Sequence, residues 1–229
     1  GERARLLATC KDGRAHLNAY LDDHAFLLAA LIELMQADFR GRDLEFAQRL
    51  AEVLLEQFDD PATGGFFFTS HDHEKLIHRP KPGHDGATPS GNGVAAFALQ
   101  RLGHITGNPR YLEAAERALR LFYPGLEQHP GGCASLLMTL EEAIAPPRMV
   151  VLRGPEGQMR QWRQALDQVY LPDALILALA PGAADLPAPL DKPVVPGAVN
   201  AWICQGVSCL APVDTPEKLL GALKTAKFR

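Results

Sequence analysis

The sequence predicts a mainly α-helical chain, part of an α/α toroid built from helical hairpins, followed by a small α/β unit. Three observations predict it. Helix-length blocks that are apolar nearly all round alternate with amphipathic blocks; each amphipathic block is followed by a Gly-Gly pair; and after Pro146-Pro147 the composition changes to short apolar strands.

The first block spans Asp22 to Ala37 and holds the unbroken run Ala25, Phe26, Leu27, Leu28, Ala29, Ala30, Leu31 and Ile32. A helix of that kind must be covered on most sides. Its neighbour, Asp43 to Phe58, places Leu44, Ala47, Leu50, Ala51, Leu54 and Phe58 on one stripe, with Arg42, Glu45, Arg49, Glu52 and Glu56 elsewhere. That spacing predicts a helix with one face in solvent. The pair then recurs. Ser90 to Ile105 opens on Ser90 as an N-cap and contains an apolar block from Val94 to Leu99. Arg110 to Tyr123 is amphipathic, with Tyr111, Ala114, Ala118 and Leu121 spaced like Leu44, Ala47, Ala51 and Leu54. Gly64-Gly65 and Gly131-Gly132 follow the two amphipathic helices, and Phe66-Phe67-Phe68 reads as a strand of a hairpin. A third buried helix, Gly132 to Ala145, ends at Pro146-Pro147, where the missing N–H and the ring clash stop a helix. Such hairpins also build ordinary bundles and solenoids. A closed toroid needs more of them than this chain carries, so the chain reads as part of a longer protein.

The second region, 148–229, opens with a strand at Arg148 to Arg153, a helix at Glu156 to Tyr170 and a second strand at Ala174 to Ala180. A β-α-β unit of this length favours a parallel pair with a right-handed crossover. A Pro/Ala-rich loop from Pro181 to Pro196 leads to a third strand, Val199 to Gln205. Thr215-Pro216-Glu217 starts a last helix with a cap, a proline at the first helical position and an acid in the first turn. The division is thus 1–147 for the helical region and 148–229 for the α/β unit.

Composition narrows the function classes. With 27 acidic and 23 basic residues the net charge is −4, and Arg110, Arg117 and Arg120 are interleaved with Glu113 and Glu116. Nothing there calls for a nucleic-acid partner. No apolar run approaches the roughly 18–20 residues that cross a bilayer, and the opening Gly1-Glu2-Arg3-Ala4-Arg5 lacks the apolar stretch of a secretory signal. A cytoplasmic protein with reduced thiols is expected from the four cysteines, Cys10, Cys133, Cys204 and Cys209. Cys204-x4-Cys209 has neither the spacing of a Cys-x-x-Cys redox motif nor that of half a zinc site, and reads as buried thiols. His71-Asp72-His73 lacks a third ligand at metal spacing and reads as a solvated hairpin tip. There is no Gly-x-Gly-x-x-Gly and no P-loop, so no cofactor or metal is expected.

Three stretches together carry a resemblance. They are Ala19-Tyr20-Leu21-Asp22-Asp23-His24-Ala25-Phe26; Gly64-Gly65-Phe66-Phe67-Phe68-Thr69 through Arg79-Pro80-Lys81 to Asp85-Gly86-Ala87-Thr88-Pro89-Ser90-Gly91-Asn92; and Cys204 through Cys209 to Pro212. The combination resembles the spermatogenesis-associated, thioredoxin-domain-containing proteins, which have many bacterial members. The Asp-Gly-Ala-x-Pro-Ser-Gly-Asn run is its most specific part. The resemblance implies a protein with an N-terminal thioredoxin-like domain and an (α/α)6 toroid related to six-hairpin glycosidases and N-acylglucosamine 2-epimerases. This chain would be its C-terminal portion, a partial (α/α)6 toroid with the α/β unit. Where the family commonly has Asp-Tyr-Ala, this chain has Asp23-His24-Ala25.

Residues at the N-terminal ends of inner helices, and in the loops before them, face the mouth of a toroid. Asp22, Asp23 and His24 form one candidate group; Arg79, Lys81, His84, Asp85, Ser90 and Asn92 form another. Carboxylates beside hydroxyl and amide groups suit a polyhydroxylated, sugar-like ligand, and paired carboxylates can act as general acid and base at a glycosidic bond. Asp23, His24 and Asp85 are the catalytic candidates; Asp22, Asp23, Arg79, Lys81, Asp85, Ser90 and Asn92 are the ligand-binding ones. The related toroid epimerases use histidines for proton transfer, and His24 is the candidate if such chemistry occurs here. The bland readings stand beside these: Asp22 or Asp23 caps a helix, Asp85-Gly86 is a turn, and Arg79 pairs with Asp85. The leading reading is a module that binds or processes a carbohydrate-like molecule; the alternative is a non-catalytic scaffold or protein-interaction module serving the thioredoxin-like domain.

Overall fold

The computed structural model describes residues 5–74 and 76–225. Residues 1–4 of the opening segment Gly1-Glu2-Arg3-Ala4-Arg5 lie outside the described residues. The chain divides into two compact units. The first comprises residues up to Glu33, Arg42–Gly103 and Asn108–Ile144; the second comprises Leu34–Gly41, His104–Gly107 and the chain from Ala145 onward. The protein is mainly α with an α/β unit, and among the described residues no helix is long and apolar enough to cross a membrane.

The first unit opens with an antiparallel hairpin, β1 (Leu7–Lys11) and β2 (Arg14–Asn18). Asp12 and Gly13 join the strands with φ of 51° and 76°. Two consecutive positive φ values are what a two-residue hairpin turn needs, and Asp-Gly supplies them cheaply. The sequence reading passes over this hairpin because most of its residues are exposed on both faces, which erases the alternation that marks a strand.

Five helices follow: α1 (Leu21–Ala37), α2 (Gly41–Gln57), α3 (Gly91–Thr106), α4 (Pro109–Gln128) and α5 (Ala134–Ile144). The stripe read from the sequence of α2 is the buried one: Leu44, Ala47, Leu50, Ala51 and Leu54 are all inside. Helix α4 starts where Asn108 Oδ1 accepts from Arg110 N at 3.1 Å with Pro109 at the first position. It runs through Pro124 to Gln128, beyond the end expected at Tyr123. Phe66–Phe68 is not a strand; Phe66 makes only an isolated bridge with Asp59.

Side-chain pairings set the helix directions. Asp22 of α1 lies against Gly91 of α3, and Glu33 of α1 meets Arg101 of α3 at 2.9 Å. Ser135 of α5 lies against Gly93 of α3, and Glu142 of α5 meets Arg101 at 2.6 Å. In both cases positions advance together, so α1, α3 and α5 run parallel with α3 between the other two. The amphipathic helices match them: Glu52 meets Arg110 and Tyr111, and Asp59, just past α2, meets Arg117. Helices α2 and α4 therefore also run side by side in one direction.

In the second unit a four-stranded sheet has the order β4-β3-β5-β6. Strands β3 (Arg148–Arg153) and β4 (Ala174–Leu179) are parallel, connected by α6 (Glu156–Leu166), as the β-α-β reading requires. Strand β5 (Asn200–Gln205) is antiparallel to β3, and the two-residue β6 (Ser208–Cys209) turns back on β5 at the edge. Val150, Leu152, Ile176, Ala201 and Ile203 on one face pack against Met159, Trp162 and Leu166 of α6 and Leu219 and Leu223 of α7 (Pro216–Thr225). Thr215 Oγ1 accepts from Lys218 N at 3.2 Å and caps α7.

The expectation of free thiols at Cys204 and Cys209 is corrected here: the two form a disulfide, leaving Cys10 and Cys133 free. The reason lies in the register. Leu210 N donates to Ile203 O, and Gln205 faces Ser208, so Cys204 and Cys209 face each other at the non-hydrogen-bonded position between. That position brings Cα atoms, and hence side chains, closest in an antiparallel pair, 4.0 Å here.

Candidate functional site

The N-terminal ends of α1, α3 and α5 come together in the first unit, and the loop before α3 carries most of the motif. Asp85 organises it. Its Oδ1 accepts from Ser90 N at 2.8 Å and from Ser135 Oγ at 2.5 Å, and its Oδ2 accepts from Ser135 N at 2.9 Å. One carboxylate thus holds the starts of α3 and α5 against each other. Burial pushes its acidity toward the neutral form, but the hydrogen bonds from Ser135 and Ser90 outweigh that and hold the carboxyl below the usual range. Ser90 is buried and its Oγ accepts from Gly93 N at 3.1 Å, which makes it the N-cap of α3.

Asn92 is fully buried. Its Oδ1 accepts from Phe66 N at 2.6 Å, and its Nδ2 donates to Phe66 O at 2.9 Å and Pro82 O at 3.0 Å. Lys81 directs its ammonium to Asp60 Oδ2 at 2.5 Å, Thr63 Oγ1 at 2.7 Å and Gly64 O at 2.8 Å, closing the turn after α2. These bonds and those from Thr63 hold the Asp60 carboxyl far below its ordinary value. Arg79 donates to Thr69 O and Thr69 Oγ1, meets His71 Nδ1 at 3.2 Å and lies over the Phe67 ring at 4.1 Å. It forms no pair with Asp85.

On α1, Asp23 Oδ2 accepts from Tyr20 N at 2.8 Å, the reach-back of an acid in the first turn. His24 is fully buried against Phe58. Leu6 N donates to its Nε2 at 3.4 Å, so Nδ1 carries the proton and donates to Tyr20 O at 2.9 Å. Burial pushes the imidazole below its ordinary pKa, only partly opposed by the Tyr20 carbonyl. It is a neutral ring with both nitrogens engaged.

Asp22 differs from the rest. Its Oδ1 is buried and has no hydrogen-bond partner. A Cβ on Gly91 would sit 2.0 Å from that oxygen, so only glycine lets the acid approach the start of α3. Burial, and secondarily the charge of Asp23, raise the Asp22 carboxyl above its ordinary value. Its Oδ1 is thus an acceptor that the chain itself leaves unmatched.

The structure therefore brings Asp22, Asp85, Ser90 and Asn92 to adjoining helix starts, and directs Lys81 and Arg79 to the turns at Asp60 and Thr69. Sequence reasoning missed Ser135, the second residue of α5, whose signal is a serine three residues after a Gly-Gly turn. It also missed Cys133, whose Sγ lies 3.6 Å from His84 Nδ1 beside a cavity of about 330 Å³ lined by Phe122 and Pro82. Burial and the nearby Asp85 push that thiol up, away from a reactive thiolate. A larger cleft of about 690 Å³ is lined by Glu45, Glu52, Glu56, Arg49, Asp72 and Tyr111, and none of the motif residues faces it. Among the described residues no group of three or more His, Cys, Asp or Glu could hold a metal ion.

No family model matches the chain. It is similar to spermatogenesis-associated protein 20 from Homo sapiens, 27% identical over 233 residues, covering 94% of this chain and 29% of that protein. The Mus musculus protein of the same name is 27% identical over 209 residues, covering 87% of the chain and 26% of that protein. An uncharacterized protein of Caenorhabditis elegans is 25% identical over 214 residues, covering 91% of the chain and 29% of that protein. These similarities support a relation to the spermatogenesis-associated protein family. The chain spans less than a third of the length of the curated relatives it matches.

Proposed function

We propose that this chain is the helical module of a longer, cytoplasmic, thioredoxin-domain-containing protein. In this reading 1–147 is an arc of an α/α toroid that acts as a non-catalytic scaffold for the thioredoxin-like domain, and 148–229 is a separate α/β unit. One observation carries it: Asp85, Asn92, Lys81 and His24, which a catalytic or sugar-binding mouth would aim at a ligand, bond to the chain itself. A general base needs reach to a substrate proton, and the His24 nitrogens face Leu6 and Tyr20. The parallel sets α1, α3, α5 and α2, α4 support the toroid part of the proposal.

The unpartnered Asp22 Oδ1 favours a second reading, in which the helix starts bind a carbohydrate-like small molecule, as in a glycosidase- or epimerase-like relative. A thermal-shift screen of the full-length protein against mono- and disaccharides separates the two. A ligand at about 100 times its Kd adds about 2.7 kcal/mol, or roughly 5–10 °C at this size. The scaffold reading expects no shift from any sugar. A shift that Asp22→Ala abolishes overturns it in favour of the second.

A further inference from the structure

We infer that Cys204 and Cys209 form a thiol–disulfide exchange site on the folded protein, reduced by a dithiol that attacks Cys209. The two sulfurs differ in access. Cys204 is 3% exposed on β5, whereas Cys209 is exposed on β6, the two-residue strand at the edge of the sheet. The turn between them is open, with Val207 fully exposed. An attacking thiolate therefore reaches Cys209 Sγ without any strand leaving the sheet, and cannot reach Cys204 Sγ in the same way. Exchange rates depend on access and on which sulfur is attacked.

A cation stands on the attacked side. Lys192 Nζ lies 3.9 Å from Cys209 Sγ. An ammonium at that distance attracts an approaching thiolate and stabilises a Cys209 thiolate when it leaves. The exchange then balances in two steps. The first thiolate of the dithiol attacks Cys209 Sγ, forming a mixed disulfide and breaking the Cys204–Cys209 bond; the Cys204 thiolate takes a proton from water. The second thiolate of the dithiol attacks its partner sulfur in the mixed disulfide, and Cys209 leaves as the thiolate beside Lys192. Two electrons pass to the protein and the dithiol becomes a cyclic disulfide.

The register also sets the class of reductant. Cys204 stays paired opposite Cys209 by the bonds that flank them, so in a mixed disulfide it is positioned to attack again and expel the incoming thiol. A monothiol is thereby returned. A dithiol carries its own second thiol, which competes with Cys204 and completes the reaction. A disulfide that serves only to staple the hairpin would open to either reagent after unfolding alone.

The test uses the full-length protein with Cys10→Ser, and reads the Cys204-containing peptide by mass after thiol alkylation. Under native conditions dithiothreitol is expected to open the Cys204–Cys209 bond with the far-UV spectrum unchanged. Glutathione at equal thiol concentration should open it at least tenfold less. In single variants, Cys204→Ser should leave a Cys209 thiol that glutathione disulfide modifies in the folded protein. Cys209→Ser should leave a Cys204 thiol modified only in urea. Adding Lys192→Gln to Cys204→Ser should slow the modification several-fold. If the bond opens only in urea, if both single cysteines react alike in the folded protein, or if both residues are alkylated before any reductant is added, the inference is overturned.

Discussion

Asn92 pairs with Phe66 as a neighbouring strand would: its carboxamide oxygen accepts from Phe66 N at 2.6 Å and its nitrogen donates to Phe66 O at 2.9 Å. One side chain thereby satisfies both backbone groups of a buried residue that no sheet reaches. Removing it leaves a buried N–H and a buried C=O unpaired, each a penalty of about 1–3 kcal/mol. Asn92→Ala is expected to lower stability by about 2–4 kcal/mol in a urea titration. Asn92→Asp should do no better, because it keeps the acceptor, loses the donor and buries a charge.

Asp85 holds two helix starts, so Asp85→Ala should cost about 1–3 kcal/mol, the range for losing two caps. The loss has a pH signature. The folded carboxyl lies below the ordinary value, so its contribution is full above about pH 4 and fades as pH falls through the depressed value. The gap between wild type and Asp85→Ala, measured by denaturant titration, should be constant from pH 5 to 7 and narrow below pH 4.

Asp22 has the opposite sign. Its folded carboxyl is raised, so its contribution is full below about pH 4 and is lost as pH rises through the raised value. Asp22→Asn, which cannot ionise, should therefore be more stable than wild type at pH 7, by roughly 1–3 °C in Tm. The difference should vanish near pH 3. A variant less stable at pH 7 would show that the ionised form has a partner.

His24 gives a third profile. Its folded pKa is depressed, so its stabilising contribution is present above about pH 6.5 and is lost as pH falls through the lower value. His104 is shifted the same way by burial. Comparison with His24→Gln isolates the His24 share: the variant should lose less stability than wild type between pH 7 and 5.

Gly64 has φ of +81°, and a Cβ there would lie 2.4 Å from Arg117 O, a backbone atom that cannot swing away. Gly64→Ala is expected to cost about 2–3 kcal/mol. At Gly131 φ is ordinary and an added Cβ meets nothing, so Gly131→Ala should stay within about 0.5 kcal/mol. Paired chemical denaturation curves check both, and equal losses would sink the steric account.

What the sequence determined by itself is what near neighbours in the chain decide. The stripe Leu44, Ala47, Leu50, Ala51, Leu54 gives α2 its buried face, Ser90 and Thr215 mark the starts of α3 and α7, and the apolar runs at 148–153 and 174–179 yield a parallel pair. These follow from periodicity and capping, which act over a few residues. The roles of the polar motif were decided elsewhere. Asp85 and Ser135 are 50 residues apart, Asn92 and Phe66 are 26 apart, and a carboxylate that caps two helices has the same letters as one that grips a sugar. Cys204 and Cys209 illustrate the same limit at short range. Their five-residue spacing is silent about pairing until strand register brings the side chains to a non-hydrogen-bonded position. Whether a polar atom faces solvent, a ligand or its own chain depends on which distant segments fold against it, and only tertiary structure makes that choice.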